Sequence, residues 1–133
     1  MTKFESKVNI SRPVNEVYSF LADMNNHRQL MPDEVLDWTS NVDEASFGIK
    51  NMVKLSLKVA VRVENQEIRI VPAVKAPFDV LLRWSLSPAG DGTEAIFTIE
   101  ADLNMMMKMM ASGPLKKLVD HETHLLASVL NQS

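Results

Sequence analysis

The sequence predicts an α+β domain in which a curved antiparallel sheet of about six to seven strands wraps around a long C-terminal helix. Three observations carry this. Short segments between Val35 and Asp102 alternate apolar and polar residues, the signature of half-buried strands. Short turn-forming stretches join them, which favours antiparallel pairing. Helical periodicity is confined to a stretch after the first strand and to a long closing segment, about Pro114 to Leu130. Helices gathered on one face of such a sheet make an α+β domain. The 133 residues are read as one domain, 1–133.

The first element is "KFESKVNI". Phe4, Ser6, Val8 and Ile10 share one face, and Lys3, Glu5, Lys7 and Asn9 share the other. "SRPVNEVYSFLAD" follows as a helix. Ser11 suits its cap and Pro13 its first turn, while Val14, Val17, Tyr18 and Leu21 form an apolar stripe. A short second helix spans Asn25 to Leu30 and stops at Pro32. "VLDWTSNV" and "ASFGIK" are two strands with a turn near Asp43-Glu44. "MVKLSLKVAVRVE" alternates throughout, with Val53, Leu55, Leu57, Val59, Val61 and Val63 on its inward face. Asn65-Gln66 turns the chain into "EIRIV". Pro72 and Pro77 bracket a loop or an irregular edge. "FDVLLRWSL", the hairpin signal "SPAGDGTE" and "AIFTIEADL" complete the sheet.

Composition limits the functions on offer. Hydrophobic residues make up 46% of the chain, enough for a core. The net charge of −3 gives no electrostatic case for nucleic acid. The absence of cysteine excludes disulfides, thiolate catalysis and cysteine-ligated metals. No apolar run has the length of a signal peptide or a membrane span. The expectation is a cytoplasmic protein without an integral membrane segment.

The element order resembles the helix-grip fold of the START/SRPBCC superfamily, which includes the polyketide cyclase/dehydrase, lipid-transport and birch-pollen-allergen-like proteins. The resemblance rests on "VNISRPVNEVYSFLADMNNHRQLMP", an opening strand, a proline-started helix and a second helix ending near Met-Pro. It also rests on the long helix that follows a strand ending in "EADL". It implies a cavity between sheet and final helix for a hydrophobic or amphipathic small molecule. It implies no particular reaction.

Individual residues sharpen the expectation. On the closing helix, Leu115, Leu118, Val119, Leu125, Leu126, Val129 and Leu130 share a broad face, with Glu122 near its middle. A carboxylate there is costly unless paired, hydrated or protonated. Glu122 either meets a ligand or a proton in a wet cavity, or pairs with an inward Arg or Tyr, or lies outside the packed region. His121, His124 and His27 have no metal-ligand spacing backed by a third group, so no metal or other cofactor is expected. No nucleophile elbow or glycine-rich phosphate loop is present. The inward strand set is almost wholly apolar, which suits an apolar ligand or a packed core better than proton transfer.

Five methionines, Met105, Met106, Met107, Met109 and Met110, precede Gly113-Pro114. Consecutive positions spread around a helix, so they cannot all face one core. They suit a gate to the cavity, a contact surface or adaptable packing at a corner. Gly113-Pro114 is expected to mark the true helix start, with Ser112 or Gly113 as cap. The candidate ligand-binding residues are Glu122, Tyr18, Trp84, Phe97, Leu118, Met106, Met107 and Met110. The expected function is binding or transport of a small hydrophobic molecule. Two alternatives are a cyclase/dehydratase-type enzyme using Glu122 as acid/base and an interaction or homodimerisation module built on the methionines.

Overall fold

The structure, a computed structural model, describes residues 1–49, 54–74 and 79–131. In chain order it contains β1 (Thr2–Ile10), α1 (Val14–Leu21), a 3₁₀ helix (Met24–Leu30), β2 (Val35–Ser40), β3 (Glu44–Ile49), β4 (Lys54–Val63), β5 (Glu67–Pro72), β6 (Val80–Ala89), β7 (Gly92–Ala101) and α2 (Met105–Asn131). Val53 and Pro77 lie outside the described residues. Seven antiparallel strands form a curled sheet in the order β1-β7-β6-β5-β4-β3-β2. With the long C-terminal helix this is the α+β, helix-grip arrangement expected. No helix among the described residues is long and apolar enough to cross a membrane.

β1 and β2 are the two edges of the sheet although they are neighbours in sequence. The segment between them must therefore cross the sheet, and α1 and the 3₁₀ helix carry it. Val17 and Leu21 on α1, with Met24 and Leu30 on the 3₁₀ helix, are buried against the sheet. Asp23 starts the 3₁₀ helix by accepting a hydrogen bond from Asn25 N at 2.9 Å.

Each strand pair sorts its side chains by face. Ser6, Phe97, Trp84 and Ile68 stand in register across β1, β7, β6 and β5. The indole of Trp84 stacks on Phe97 with centroids 4.4 Å apart. Phe4, Ile10, Ile70, Leu86, Ala95 and Ile99 extend this concave core. The convex face carries charge. Glu67 reaches Arg69 and Arg83, Arg83 reaches Glu100 at 3.4 Å, and Lys3 reaches Glu5. Such exposed pairs contribute little stability each, but they fix which face meets water.

Four local expectations are corrected. β4 does not alternate throughout. Ala60 is an extra residue between the pairs Val59↔Ile70 and Val61↔Arg69. This bulge turns Val61 and Val63 outward, each 38% exposed, and brings Arg62 inward opposite Ile68. Ser11 does not cap α1. Pro13 holds the N-cap position, and the amide of Ser11 instead donates to Asn131 Oδ1 at 2.7 Å. The strand "FDVLLRWSL" runs on to Ala89, because a two-residue turn, Gly90-Asp91 with Gly90 at φ 61°, closes the hairpin.

The last helix does not begin at Pro114. α2 runs from Met105 through Pro114 to Asn131. Asn104 is its cap: its Oδ1 accepts from Met107 N and its carbonyl from Lys108 N, both at 2.8 Å. Proline within a helix removes one hydrogen bond and crowds the preceding turn. Here Gly113 and Pro114 are both exposed, and a Cβ at Gly113 would meet nothing within 4 Å. Water can therefore take the carbonyl left without a donor.

Gly92 opens β7 where it passes beneath the end of β1. A Cβ there would overlap the carbonyl oxygen of Ile10. Gly92→Ala is expected to lower unfolding free energy by about 2–3 kcal/mol, measured by urea denaturation, because backbone on both sides must move.

Candidate functional site

The site is built by the way α2 is tied to β1. Lys116 Nζ donates to the carbonyl of Glu5 at 2.8 Å. The hydroxyls of Ser6 and Thr123 share a 2.8 Å hydrogen bond. Arg12 Nε donates to Leu130 O at 2.9 Å, a cation placed at the negative end of a helix. The helix thus runs alongside the β1 edge over the concave face. Thr123 sits at the Ser6 end of the row Ser6, Phe97, Trp84, Ile68. Glu122 is about 100° further around the helix, turned from the edge toward the middle of the sheet.

Glu122 is 3% exposed. Among the described residues its carboxyl has neither a hydrogen-bond nor an ion-pair partner. Burial alone pushes its pKa from 4.5 up to about 8, so it is a neutral acid at neutral pH. An inward Arg or Tyr partner is not what the structure shows, and neither is a position outside the packed region. The one inward arginine of β4, Arg62, is committed elsewhere. It donates to the carbonyls of Ala22 and Val42 and reaches Asp43 at 2.9 Å, clamping α1 and the β2–β3 turn to the sheet.

Trp84 is fully buried, and among the described residues its indole Nε1–H has no hydrogen-bond partner. Phe97 lies beside it, 1% exposed. Leu118 on α2 and Tyr18 on α1 are half-buried at the margin of the core. Leu57, Val59, Val80 and Leu82, all on the concave side, are likewise only partly covered. The structure thus brings Glu122, Trp84, Phe97 and Leu118 onto the surfaces where helix and sheet face one another.

The methionines sort differently. Met107 is half-buried. Met105, Met106, Met109 and Met110 are 72–82% exposed. They cover a helical face roughly opposite the one that carries Val119, Glu122 and Leu126. Met106 and Met110 therefore do not join Glu122 and Trp84.

Sequence reasoning did not anticipate Arg62, because nothing in an alternating strand announces a bulge. It also passed over an open groove of about 250 Å³ between the 3₁₀ helix and β2, lined by Arg28, Met31, Asp33, Asp37 and Trp38 among others. Trp38 stacks on Phe47 with centroids 5.2 Å apart, and its Nε1 donates to Ser40 Oγ. Asp37 lies in the left-handed region at φ 55°, where β2 slips register. No group of three histidine, aspartate or glutamate side chains that could hold a metal ion occurs among the described residues.

The curled antiparallel sheet and the long C-terminal helix together define a helix-grip fold. No family model and no curated protein sequence matches the chain. Solved structures share its fold. The KanY protein superposes with a TM-score of 0.79 at 13% identity, covering 97% of each chain. The Aha1 dimer from Colwellia psychrerythraea superposes at 0.75 with 14% identity over 100% of each chain. A protein from Thermus thermophilus superposes at 0.70 with 17% identity, covering 98% of this chain and 95% of its own. At these identities the likeness is one of fold.

The raised pKa of Glu122 has a consequence for stability. Below about pH 4.5 the carboxyl is protonated in both folded and unfolded chains, and its burial carries no ionisation penalty. As pH rises toward 8 the unfolded chain ionises while the folded one does not, and stability is lost. His27 acts in the opposite sense. Buried and donating Nε2–H to Leu21 O at 2.8 Å, it stays neutral, so stability is lost as pH falls below its ordinary 6.5. Subtraction isolates Glu122. The stability advantage of Glu122→Gln over the native chain is expected to grow by about 3–5 kcal/mol between acid and mildly alkaline pH, read from denaturant melts at several pH values.

Proposed function

We propose that the chain binds a small hydrophobic or amphipathic molecule between the sheet and α2, as the START/SRPBCC proteins it resembles in element order do. One observation carries the reading: a buried carboxyl without a partner lies over a concave face whose leucines and valines are only partly covered. A partnerless buried acid costs stability, and a ligand that hydrogen-bonds to it recovers that cost. Apolar atoms of the ligand would be desolvated against Leu57, Val59, Val80, Leu82 and Leu118. Glu122 would orient the polar end. Tyr18 and Met107 stand at the margins.

Glu122 also has the raised pKa that a cyclase- or dehydratase-type acid/base would need. Such chemistry calls for a second polar group in hydrogen-bond reach. Among the described residues nothing hydrogen-bonds to Glu122, which favours binding over catalysis.

A second reading has its own observation. Four exposed methionines on one face of α2 form an apolar surface suited to a contact between two copies of the chain. The dimeric state of the Colwellia protein is consistent with that reading.

Two experiments test these readings. The neutral dye N-phenylnaphthylamine is expected to bind saturably at one site. Leu82→Trp, which adds bulk to the partly covered concave face, is expected to weaken it about tenfold or more with little change in unfolding midpoint. Unsaturable or unchanged binding contradicts the carrier reading. In sedimentation equilibrium, Met109→Lys is expected to shift any dimer toward monomer without altering dye binding; a native chain that stays monomeric at high concentration contradicts the contact reading.

A further inference from the structure

Exposed apolar surface is unevenly spread over this chain. Apart from Met1, the five most exposed large apolar side chains among the described residues are Met109, Met105, Met110, Met106 and Val74, at 64–82%. Topology puts them at one end of the sheet. β7 ends at Ala101, opposite Thr2 and Val80, and α2 starts just beyond it. β5 ends at Pro72, opposite Leu57 on the first half of β4, so Val74 leaves the sheet at the same end. Val42, Val61 and Val63, 38–51% exposed, lie toward the other end.

The first turns of α2 stand apart from the sheet. The hydrogen bonds that tie the helix to β1, Ser11 and Arg12 begin at Lys116. Among the described residues no hydrogen bond joins residues 105–112 to the sheet, and only Met107, Ala111 and Ser112 of that stretch are half-buried. Met105, Met106, Met109 and Met110 stand at i, i+1, i+4 and i+5, which makes them one stripe. Lys117 continues the stripe two turns past Met110.

Charge indicates what the stripe meets. From Leu103 to Val119 the chain has Lys108, Lys116 and Lys117 and no aspartate or glutamate, although its net charge is −3. Lys116 is held by Glu5 O and Asp120. Lys108 and Lys117 are exposed and have no ion-pair partner among the described residues. Asp79 and Asp102, the exposed acids beside them, lie before the helix begins. Two copies meeting on this face would bring both sets of lysines into one contact, and like charges repel. Phosphate headgroups attract them.

We propose that this end of the protein docks on an anionic lipid surface. Met105, Met106, Met109 and Met110 seat at the boundary of headgroups and acyl chains, and Lys108 and Lys117 lie beside the phosphates. Unbranched methionine fits a fluid, irregular surface, and the lysine stems reach past it to water and phosphate. The proposal does not depend on the carrier reading. It gives the methionine face to lipid in place of a second copy of the chain.

Flotation tests it, with vesicles of phosphatidylcholine alone and of phosphatidylcholine and phosphatidylglycerol in equal parts. The native chain is expected to bind the mixed vesicles about tenfold or more tightly than the neutral ones, and to weaken as salt rises. Met109→Ser combined with Met110→Ser is expected to weaken that binding about tenfold or more with no change in the urea midpoint, because both side chains are exposed. Lys108→Gln combined with Lys117→Gln is expected to remove the preference for phosphatidylglycerol. Val42→Ser, at the other end of the sheet, is expected to bind as the native chain does. No binding to either vesicle, equal binding to both, or binding that survives loss of the methionines overturns the proposal. So does a chain that sedimentation equilibrium shows to dimerise through the methionines and that leaves vesicles unbound. Binding of N-phenylnaphthylamine without vesicle binding overturns this proposal and leaves the carrier reading standing; the reverse result overturns the carrier reading alone.

Discussion

Everything at the centre of this protein depends on how one helix is tied to one edge strand. Four contacts run along the β1 edge: Lys116 to the Glu5 carbonyl, Thr123 to Ser6, Arg12 to the Leu130 carbonyl and Asn131 to the Ser11 amide. They set both the position and the rotation of α2. A helix rolled by about 100° so as to turn Glu122 toward solvent would break the Thr123–Ser6 hydrogen bond. Held as it is, the helix buries Val119, Glu122 and Leu126 against the concave face. The same contacts protect β1, an edge strand whose free backbone groups would otherwise invite another chain.

Arg62 makes the corresponding closure at the far side. The bulge at Ala60 reverses the facing of the last third of β4 and puts a guanidinium where an aliphatic side chain was expected. That guanidinium joins the end of α1, through Ala22 O, to the β2–β3 turn. Two polar clamps thus hold the sheet curled, and between them the core is almost entirely apolar. Against that background Glu122 and Trp84 Nε1, without a partner among the described residues, stand out. Buried polar groups are ordinarily satisfied, so their lack of partners gives this interior a chemical direction that the fold alone does not.

The exposed methionines belong to a different surface. Met105, Met106, Met109 and Met110 lie on the outer side of the first turns of α2, away from Glu122. A ligand site and a contact surface can therefore occupy opposite faces of one helix. Met107, half-buried, is the member of the cluster that shares in the packing.

Much of this was written in local pattern. Phe4, Ser6, Val8 and Ile10 alternate with charge, and a pleated strand can satisfy that in one way only. Glu122 could be placed on the apolar face of its helix because 3.6 residues per turn is a local rule. The order of elements was legible for the same reason, and with it the α+β class. Whatever depended on contact between distant segments was not. Nothing around Ala60 signals a bulge, because the bulge answers the needs of Ala22, Val42 and Asp43. Gly113-Pro114 looks like a helix start, yet the turn before it is already helical, capped by Asn104 and solvated where proline breaks the ladder. The pattern put Glu122 and Trp84 on inward faces. That each would be buried without a partner was decided only when helix and sheet closed, because satisfaction of a polar group is a property of its neighbours in space.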